Sequence, residues 1–594
     1  MTTGESSSVH VQMEKPEKTV DAIDFPSDTD DVLVLQRSDS IIDGNSDSNG
    51  HSKTRVPDNS PSGEKAPRRG LVDVVSTRLA DRRLKLAVGA VFLVGWIVYL
   101  GFAAAMNFSE CLPLLVITGL ILGYQVFFRI LWPRVSDEAK ASMKKTMSTD
   151  RLNDRQKMMA RFALLGIAAG LIILFIVLEQ VWNEPLRFLS LGGLFVYLGL
   201  CWAISKYPTR VNWHLVMVGM LLQFGLGYIV LQTAWGTAAF TWLSDLIVTF
   251  LGYSGAGSAF LFGDGYFEHF FAFSVLPTVC YFSAFVSVMY HFGIIQWMIS
   301  VIGKVMMFTM GSTPAESLNA AGNIFIGQTE APLLIRPFVP DLTESEIHSI
   351  MTGGFATVAG TVFAAYVGMG IDPTALLTAS LMSAPASLAI SKIVYPEVER
   401  AVTTGKVVVQ GGKRATNFVE AISMGASDSL PLMANIAAML IAFISLLAAA
   451  NGLLSYIGGC VDYPELSFQI ISGYVFYPFA ILMGVAPEDA QTVGALLGEK
   501  TFTNEFVAYA TLGELIKNRE AGLEPSISER SELIATYALC GFANVGSMGI
   551  MLGGLTPLAP HRSTDFAKVV PWALVSGTIA CFTTACVAGF LISD

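Results

Sequence analysis

Two glutamates stand where a carboxylate is hard to keep. The stretch 322–332 reads Gly-Asn-Ile-Phe-Ile-Gly-Gln-Thr-Glu-Ala-Pro and places Gln328, Thr329 and Glu330 in a segment too apolar to be an ordinary surface loop. The stretch 500–509, Lys-Thr-Phe-Thr-Asn-Glu-Phe-Val-Ala-Tyr, sets Thr503, Asn504 and Glu505 in a similar frame. An ionisable side chain at membrane depth is expensive and marks a functional site by default. Carboxylates accept hydrogen bonds, while amides both donate and accept, so such a set could surround a neutral solute rich in hydroxyls or amides. The plainer alternative pairs each acid with a nearby cation, Arg336 for Glu330 and Lys500 for Glu505, because buried charges are usually paired. Two acids, each preceded by an amide or hydroxyl pair and each in a broken apolar run, favour ligand binding.

The elements that must position these groups are membrane spans. With 53% apolar residues, 14% charged residues and a mean hydropathy of +0.55 over 594 residues, the chain reads as an all-α polytopic membrane protein and not a soluble enzyme. The net charge of -11 says little about partners, since much of the acid sits in the N-terminal tail (Asp21, Asp24, Asp28, Asp30 and Asp31), and nucleic acid as a partner has no support. Six of the seven cysteines (Cys111, Cys201, Cys280, Cys540, Cys581 and Cys586) fall in apolar runs and Cys460 in a loop, a pattern without disulfide or metal spacing.

In chain order, residues 1–82 form an expected cytosolic tail, disordered by composition up to about residue 69. Residues 83–182 hold three spans, at 86–106, 111–131 and 162–178. Basic residues before the first span, and the loop carrying Arg134, Lys140, Lys144 and Lys145, are assigned to the cytosol. Residues 183–310 are read as scaffold and interfacial helices, 311–400 as a first hairpin and repeat, 401–480 as an interfacial and a scaffold helix, and 481–594 as a second hairpin and repeat. Further spans are expected at 189–204, 215–231, 271–290, 351–369, 375–394, 432–453, 533–555 and 570–592, about eleven in all on the ~20-residue rule. The shorter runs 241–253 and 294–308 read as interfacial. An odd count puts the C-terminus outside if the N-terminus is inside. The sequon at Asn107 falls on the outer side, close to the membrane.

Two regions are not simple spans. Residues 312–340 carry Gly322, Gly327, Pro332, Pro337 and Pro340 and read as two short helices meeting near Gln328. Residues 486–516 behave similarly, with Gly498-Glu499-Lys500-Thr501 expected to interrupt the helix. Irregular backbone at this depth survives only if buried in protein or lining a wet cavity. Broken helices at matching positions in two halves point to a transporter's binding site. The repeat continues downstream: Gly354-Phe355-Ala356-Thr357 follows the first cluster and Gly541-Phe542-Ala543-Asn544 the second. Asn544 and Ser547 would share a helix face, and Gly541, Gly546 and Gly549 favour unwinding there. Such breaks offer oxygen ligands to a hard cation, with sodium and proton coupling both open from composition.

The motifs 498–509, 327–332 and 541–544, together with Met382-Ser383-Ala384-Pro385-Ala386-Ser387 and Glu420-Ala421 to Gly425-Ala426, resemble the concentrative nucleoside transporter family over about residue 189 to the C-terminus. The three preceding spans and the long tail look like its animal members. That resemblance implies a homotrimer in the lipid bilayer of the plasma membrane, each protomer with a scaffold and an elevator-type transport domain built from inverted repeats. It implies sodium-coupled import of nucleosides with no organic cofactor. By the same resemblance Gln328, Thr329 and Glu330 read the base, Val362 and Phe542 line its pocket, and Glu505, Asn544 and Ser547 hold the ribose. Sodium would sit at Asn323, Ile326, Thr329, Thr357 and Val358. Gly327 stands where pyrimidine-selective relatives tend to have serine, which implies that purines are admitted. Cys540 matches a position tied to cation coupling in some relatives, so proton coupling stays an alternative, and Glu499 replaces a frequent aromatic. A channel or receptor for nucleosides is a further alternative. An intramembrane enzyme would want paired aspartates within spans, whereas Asp264 and Asp372 sit at run edges.

Overall fold

Local sequence signals decide where the helices start. Thr313 and Glu316 form a reciprocal capping box at the head of Pro314–Gly322, and Thr343 with Glu346 repeats it at Glu344–Ala356. Asp372, Asn417, Ser467, Asn504, Ser528 and Asn544 each accept a backbone N–H at the N-terminus of the helix that follows. Helix is the regular structure of the described residues of this computed structural model, which are 185–592 except 270, 400 and 402–414, plus the single positions 99, 101 and 118. Apart from those single positions, the expected tail, the three spans within 83–182, Cys111 and the Asn107 sequon lie outside the described residues.

The architecture belongs to the second of two units, 141–594. Its helices are α1 (Pro185–Ala203), α2 (Trp213–Gln232), α3 (Ala234–Gly252), α4 (Ser254–Phe262), α5 (Leu276–His291), α6 (Ile294–Met310) and α7 (Pro314–Gly322). They continue as α8 (Glu344–Ala356), α9 (Gly360–Gly368), α10 (Pro373–Val394), α11 (Phe418–Gly459), α12 (Phe468–Leu482), α13 (Ala490–Phe502), α14 (Glu505–Ala521), α15 (Glu529–Leu539), α16 (Val545–Leu555) and α17 (Ser563–Leu591). The order repeats. Helix α5, amphipathic α6, a hairpin (α7 and the 3-10 segment Ala331–Asp341), a broken helix (α8–α9) and α10 are followed by α11, α12, a hairpin (α13–α14), a broken helix (α15–α16) and α17.

Among the described residues, eight helical segments are long and apolar enough to cross a bilayer. Seven coincide with expected spans, of which 351–369 is not one helix but is interrupted at 357–359 between α8 and α9. The eighth expectation, 533–555, is replaced by two short helices, α15 and α16, separated at 540–544. In its place stands 234–262, where the interfacial reading covered only 241–253; Thr233, accepting from Gly236 N–H at 3.1 Å, starts the helix earlier. Helix α6 buries Ile295, Ile299, Gly303, Met306 and Met310 on one face and exposes Trp297, Val301, Val305 and Phe308 on the other. At 42 residues α11 is ~63 Å long, about twice a hydrocarbon core.

Packing separates two groups. Helices α1, α2, α10 and α17 pack on one another and on α8 and α15, and the spans of α8–α9, α10 and α17 are mostly buried. Helices α5 and α11 pair with each other, remain largely exposed, and meet the first group through α9 and α14.

Candidate functional site

At the centre the two helix breaks touch. The Phe542 N–H donates to the Thr357 carbonyl at 3.2 Å, and the Gly360 N–H to Phe325 of the first hairpin at 3.2 Å. Two glycines permit this approach. A Cβ on Gly541 would lie 2.7 Å from the Phe355 carbonyl, and one on Gly354 would lie 2.8 Å from Cβ of Gln328. Gly546 and Gly549, expected to unwind the chain, are helical instead: Asn544 caps α16 by accepting from Ser547 N–H at 2.8 Å, and unwinding stops there. The second hairpin also breaks later than expected. Gly498 to Thr501 are helical because Glu499 and Lys500 find side-chain or carbonyl partners on neighbouring elements, and the turn falls at Thr503–Asn504.

Both hairpin tips, both breaks and one face of α11 enclose a cavity of about 170 Å³. At roughly 30 Å³ per water that is space for several waters, so it suits a small solute better than a lone ion. Its lining includes all eight residues expected to bind substrate: Gln328, Thr329, Glu330, Val362, Glu505, Phe542, Asn544 and Ser547. Glu505 is 2% exposed. Its Oε1 accepts from the Tyr366 hydroxyl at 3.3 Å and its Oε2 from Asn544 Nδ2 at 2.9 Å. Lys500 donates instead to the Ala538 carbonyl at 2.9 Å. Glu330 accepts from Gly327 N–H at 3.3 Å, and Arg336 is exposed. The plain pairing of each acid with its sequence-near cation is therefore absent from the described residues. Gln328 is buried with its side-chain oxygen unpartnered, an acceptor held ready in the first tip.

Glu330 and Thr361 also line a second cavity of about 460 Å³, bounded by α5 and α11 and reaching Ile326, His291 and Asp428. Asn323 lies deeper, 1% exposed, with both side-chain polar atoms unpartnered. The Thr357 hydroxyl donates to Gly353 at 2.9 Å and keeps its lone pairs, while Ile326 and Val358 are each buried in non-helical backbone. An orphaned amide oxygen, a hydroxyl and the carbonyls of irregular backbone are all oxygen donors, the ligand type a hard cation such as sodium takes.

Sequence reasoning missed Tyr366, which orients Glu505, and the α11 wall. Leu432, Asn435, Ile436, Met439, Leu440 and Phe443 line the cavity along one stripe of that helix. Asn435 carried a signal, an amide inside an apolar run; its neighbours carried none.

The chain matches three family models, described as Na+ dependent nucleoside transporter C-terminus over residues 375–589, Na+ dependent nucleoside transporter N-terminus over 192–265, and Nucleoside recognition over 272–372. It is 47% identical over 519 residues to solute carrier family 28 member 3 of Mus musculus, covering 86% of this chain and 73% of that protein. It is 45% identical over 512 residues to sodium/nucleoside cotransporter 1 of Mus musculus, covering 83% and 77%. Among solved structures it is similar to CNTnw in an inward-facing substrate-bound state, with 36% identity and a TM-score of 0.64 over 68% of this chain and 98% of that one. A CNTnw variant in an outward-facing state gives 35% identity and a TM-score of 0.66 over the same shares.

Proposed function

We propose how this chain works from a plain premise: it belongs to the Na+ dependent nucleoside transporter family, a family of multi-pass membrane proteins and not of enzymes. The chain is a sodium-coupled symporter that imports purine and pyrimidine nucleosides across the plasma membrane, with its N-terminus in the cytosol and its C-terminus outside. Gln328, Thr329 and Glu330 meet the base edge, Val362 and Phe542 flank its faces, and Glu505, Asn544 and Ser547 take the ribose hydroxyls. Sodium is held at Asn323, Ile326, Thr329, Thr357 and Val358, where it supplies charge that fixes the first tip against the first break.

The observation that carries this reading is the state of Glu505. Each of its oxygens has one side-chain donor, so about two of its roughly four lone-pair sites remain for hydroxyl donors of a solute. A solute lacking those hydroxyls leaves a buried acceptor unmet, which is how such a site discriminates.

Alternating access follows from where the cavity lies, between polar tips and the apolar stripe of α11. The bundle carrying the tips slides along that stripe, in an elevator-like displacement within a homotrimer. Inward-facing, intermediate and outward-facing states are named for CNTnw, and that range of states supports the reading. The test is uptake of labelled uridine, thymidine, adenosine and guanosine in cells lacking their own carriers, with sodium or choline outside at two pH values. Uptake that follows sodium supports the symporter; uptake that follows acid without sodium assigns the coupling to protons.

A further inference from the structure

Glu499 takes no part in the cavity lining, yet it is a carboxylate only 3% exposed. Buried carboxylates ordinarily face a cation. The bonds this one accepts come from two neutral donors, Gln469 Nε2 at 3.0 Å on Oε1 and the Thr511 hydroxyl at 3.0 Å on Oε2. Gln469 in turn accepts at Oε1 from Asn451 Nδ2 at 2.9 Å, and Asn451 accepts at Oδ1 from the Phe468 N–H at 2.8 Å. The chain of bonds has one direction. It begins at a backbone N–H that can only donate and ends at a carboxylate that can only accept, so both intervening amides have a single satisfied orientation.

These side chains come from four elements: Asn451 from α11, Gln469 from α12, Glu499 from α13 and Thr511 from α14. The Glu499 carbonyl also accepts from the Thr503 N–H at 2.8 Å and the Thr503 hydroxyl at 2.5 Å, and Thr503 lines the cavity two residues before Glu505. The geometry points to Glu499 as a positioning residue: it closes the two arms of the second hairpin on each other and ties them to α12, fixing the tip that presents Glu505 within its own bundle. A loosened hairpin spends less time in its binding-competent form and raises the apparent KM by that fraction. This role goes beyond the transport reading, because it concerns how the hairpin is held and not what it binds.

Direction makes the test specific. In Glu499→Gln the new amide keeps its oxygen toward Gln469 and donates to Thr511, whose hydroxyl turns to the Val507 carbonyl at 3.2 Å, so every group remains paired. In Gln469→Glu two carboxylates face each other in a buried site. In the double variant Glu499→Gln with Gln469→Glu, the new carboxylate at position 469 accepts from Asn451 and from the new amide at position 499, and the order is restored. The assay is sodium-dependent uptake by the full chain in cells, with surface level measured alongside, and melting temperature of the purified protein without substrate. The expected pattern is a KM within about threefold of wild type for Glu499→Gln, at least a tenfold rise or loss of surface protein for Gln469→Glu, and recovery to within about threefold in the double variant. Melting temperatures follow the same order and need no transport activity, so failure of the nucleoside reading leaves this test intact. A wild-type KM and melting temperature in Gln469→Glu, or a double variant no better than Gln469→Glu, overturns the assignment.

Discussion

Replacing Glu505 by glutamine isolates its charge from its shape. The variant can keep both existing bonds: its oxygen accepts from Asn544, now 2.9 Å from the carboxylate, and its amide donates to the Tyr366 oxygen now at 3.3 Å. The cap that Asn544 provides to Ser547 is untouched, so the protein should reach the surface. What disappears is at least one charge-assisted bond to a solute hydroxyl, worth about 1.5–3 kcal/mol, or roughly a tenfold to hundredfold rise in apparent KM. The assay is initial-rate uptake of labelled uridine at saturating sodium, normalised to surface protein. A second substrate sharpens it: 2′,3′-dideoxyuridine lacks both ring hydroxyls of the ribose and so has neither to lose, and its KM should change less than about threefold. If surface-expressed Glu505→Gln imports uridine with a wild-type KM, or suffers equally with the dideoxy analogue, the ribose assignment is wrong.

Three further outcomes are expected. Asn323→Ala removes the orphaned amide and should raise the sodium concentration for half-maximal uptake at least tenfold, while uridine KM at saturating sodium moves little; a sodium curve like wild type would count against the cation site. Asn544→Ala removes a helix cap worth about 1 kcal/mol along with the bond to Glu505, whereas Asn544→Ser keeps the cap alone. Melting temperature should therefore recover in the serine variant while uptake stays low, and joint recovery of both would show that the cap is all that matters. Gly541→Ala sets a methyl 2.7 Å from the Phe355 carbonyl and should cost about 1–3 kcal/mol of stability by overpacking, with loss of uptake; a variant that melts and transports like wild type refutes the close contact between the breaks.

The hairpin tips were legible because Gln328, Thr329, Glu330, Thr503, Asn504 and Glu505 are polar types in apolar surroundings, and lipid leaves such groups few other places to go. Break positions were less legible. Gly498 to Thr501 resemble an interruption in composition, yet Gln469, Thr511 and Ala538 satisfy Glu499 and Lys500 from other helices, so the backbone keeps its own ladder. Residues 533–555 looked like one span because both halves are apolar. The interruption at 540–544 comes from packing against the equally broken α8–α9, a contact between residues some 185 apart in sequence (542 against 357). The same holds for Leu432, Ile436, Met439, Leu440 and Phe443, whose types suit any buried or lipid-facing helix; only the tertiary arrangement turns that stripe into a wall of the cavity.

Concentrative movement is the property from which the rest of the account follows. Purified protein reconstituted in vesicles, given equal uridine on both sides and an inward sodium gradient, should accumulate labelled uridine above the outside concentration and release it when the gradient is collapsed with a sodium ionophore. Uridine that only equilibrates across the membrane, or accumulates to the same level with choline in place of sodium, contradicts the account.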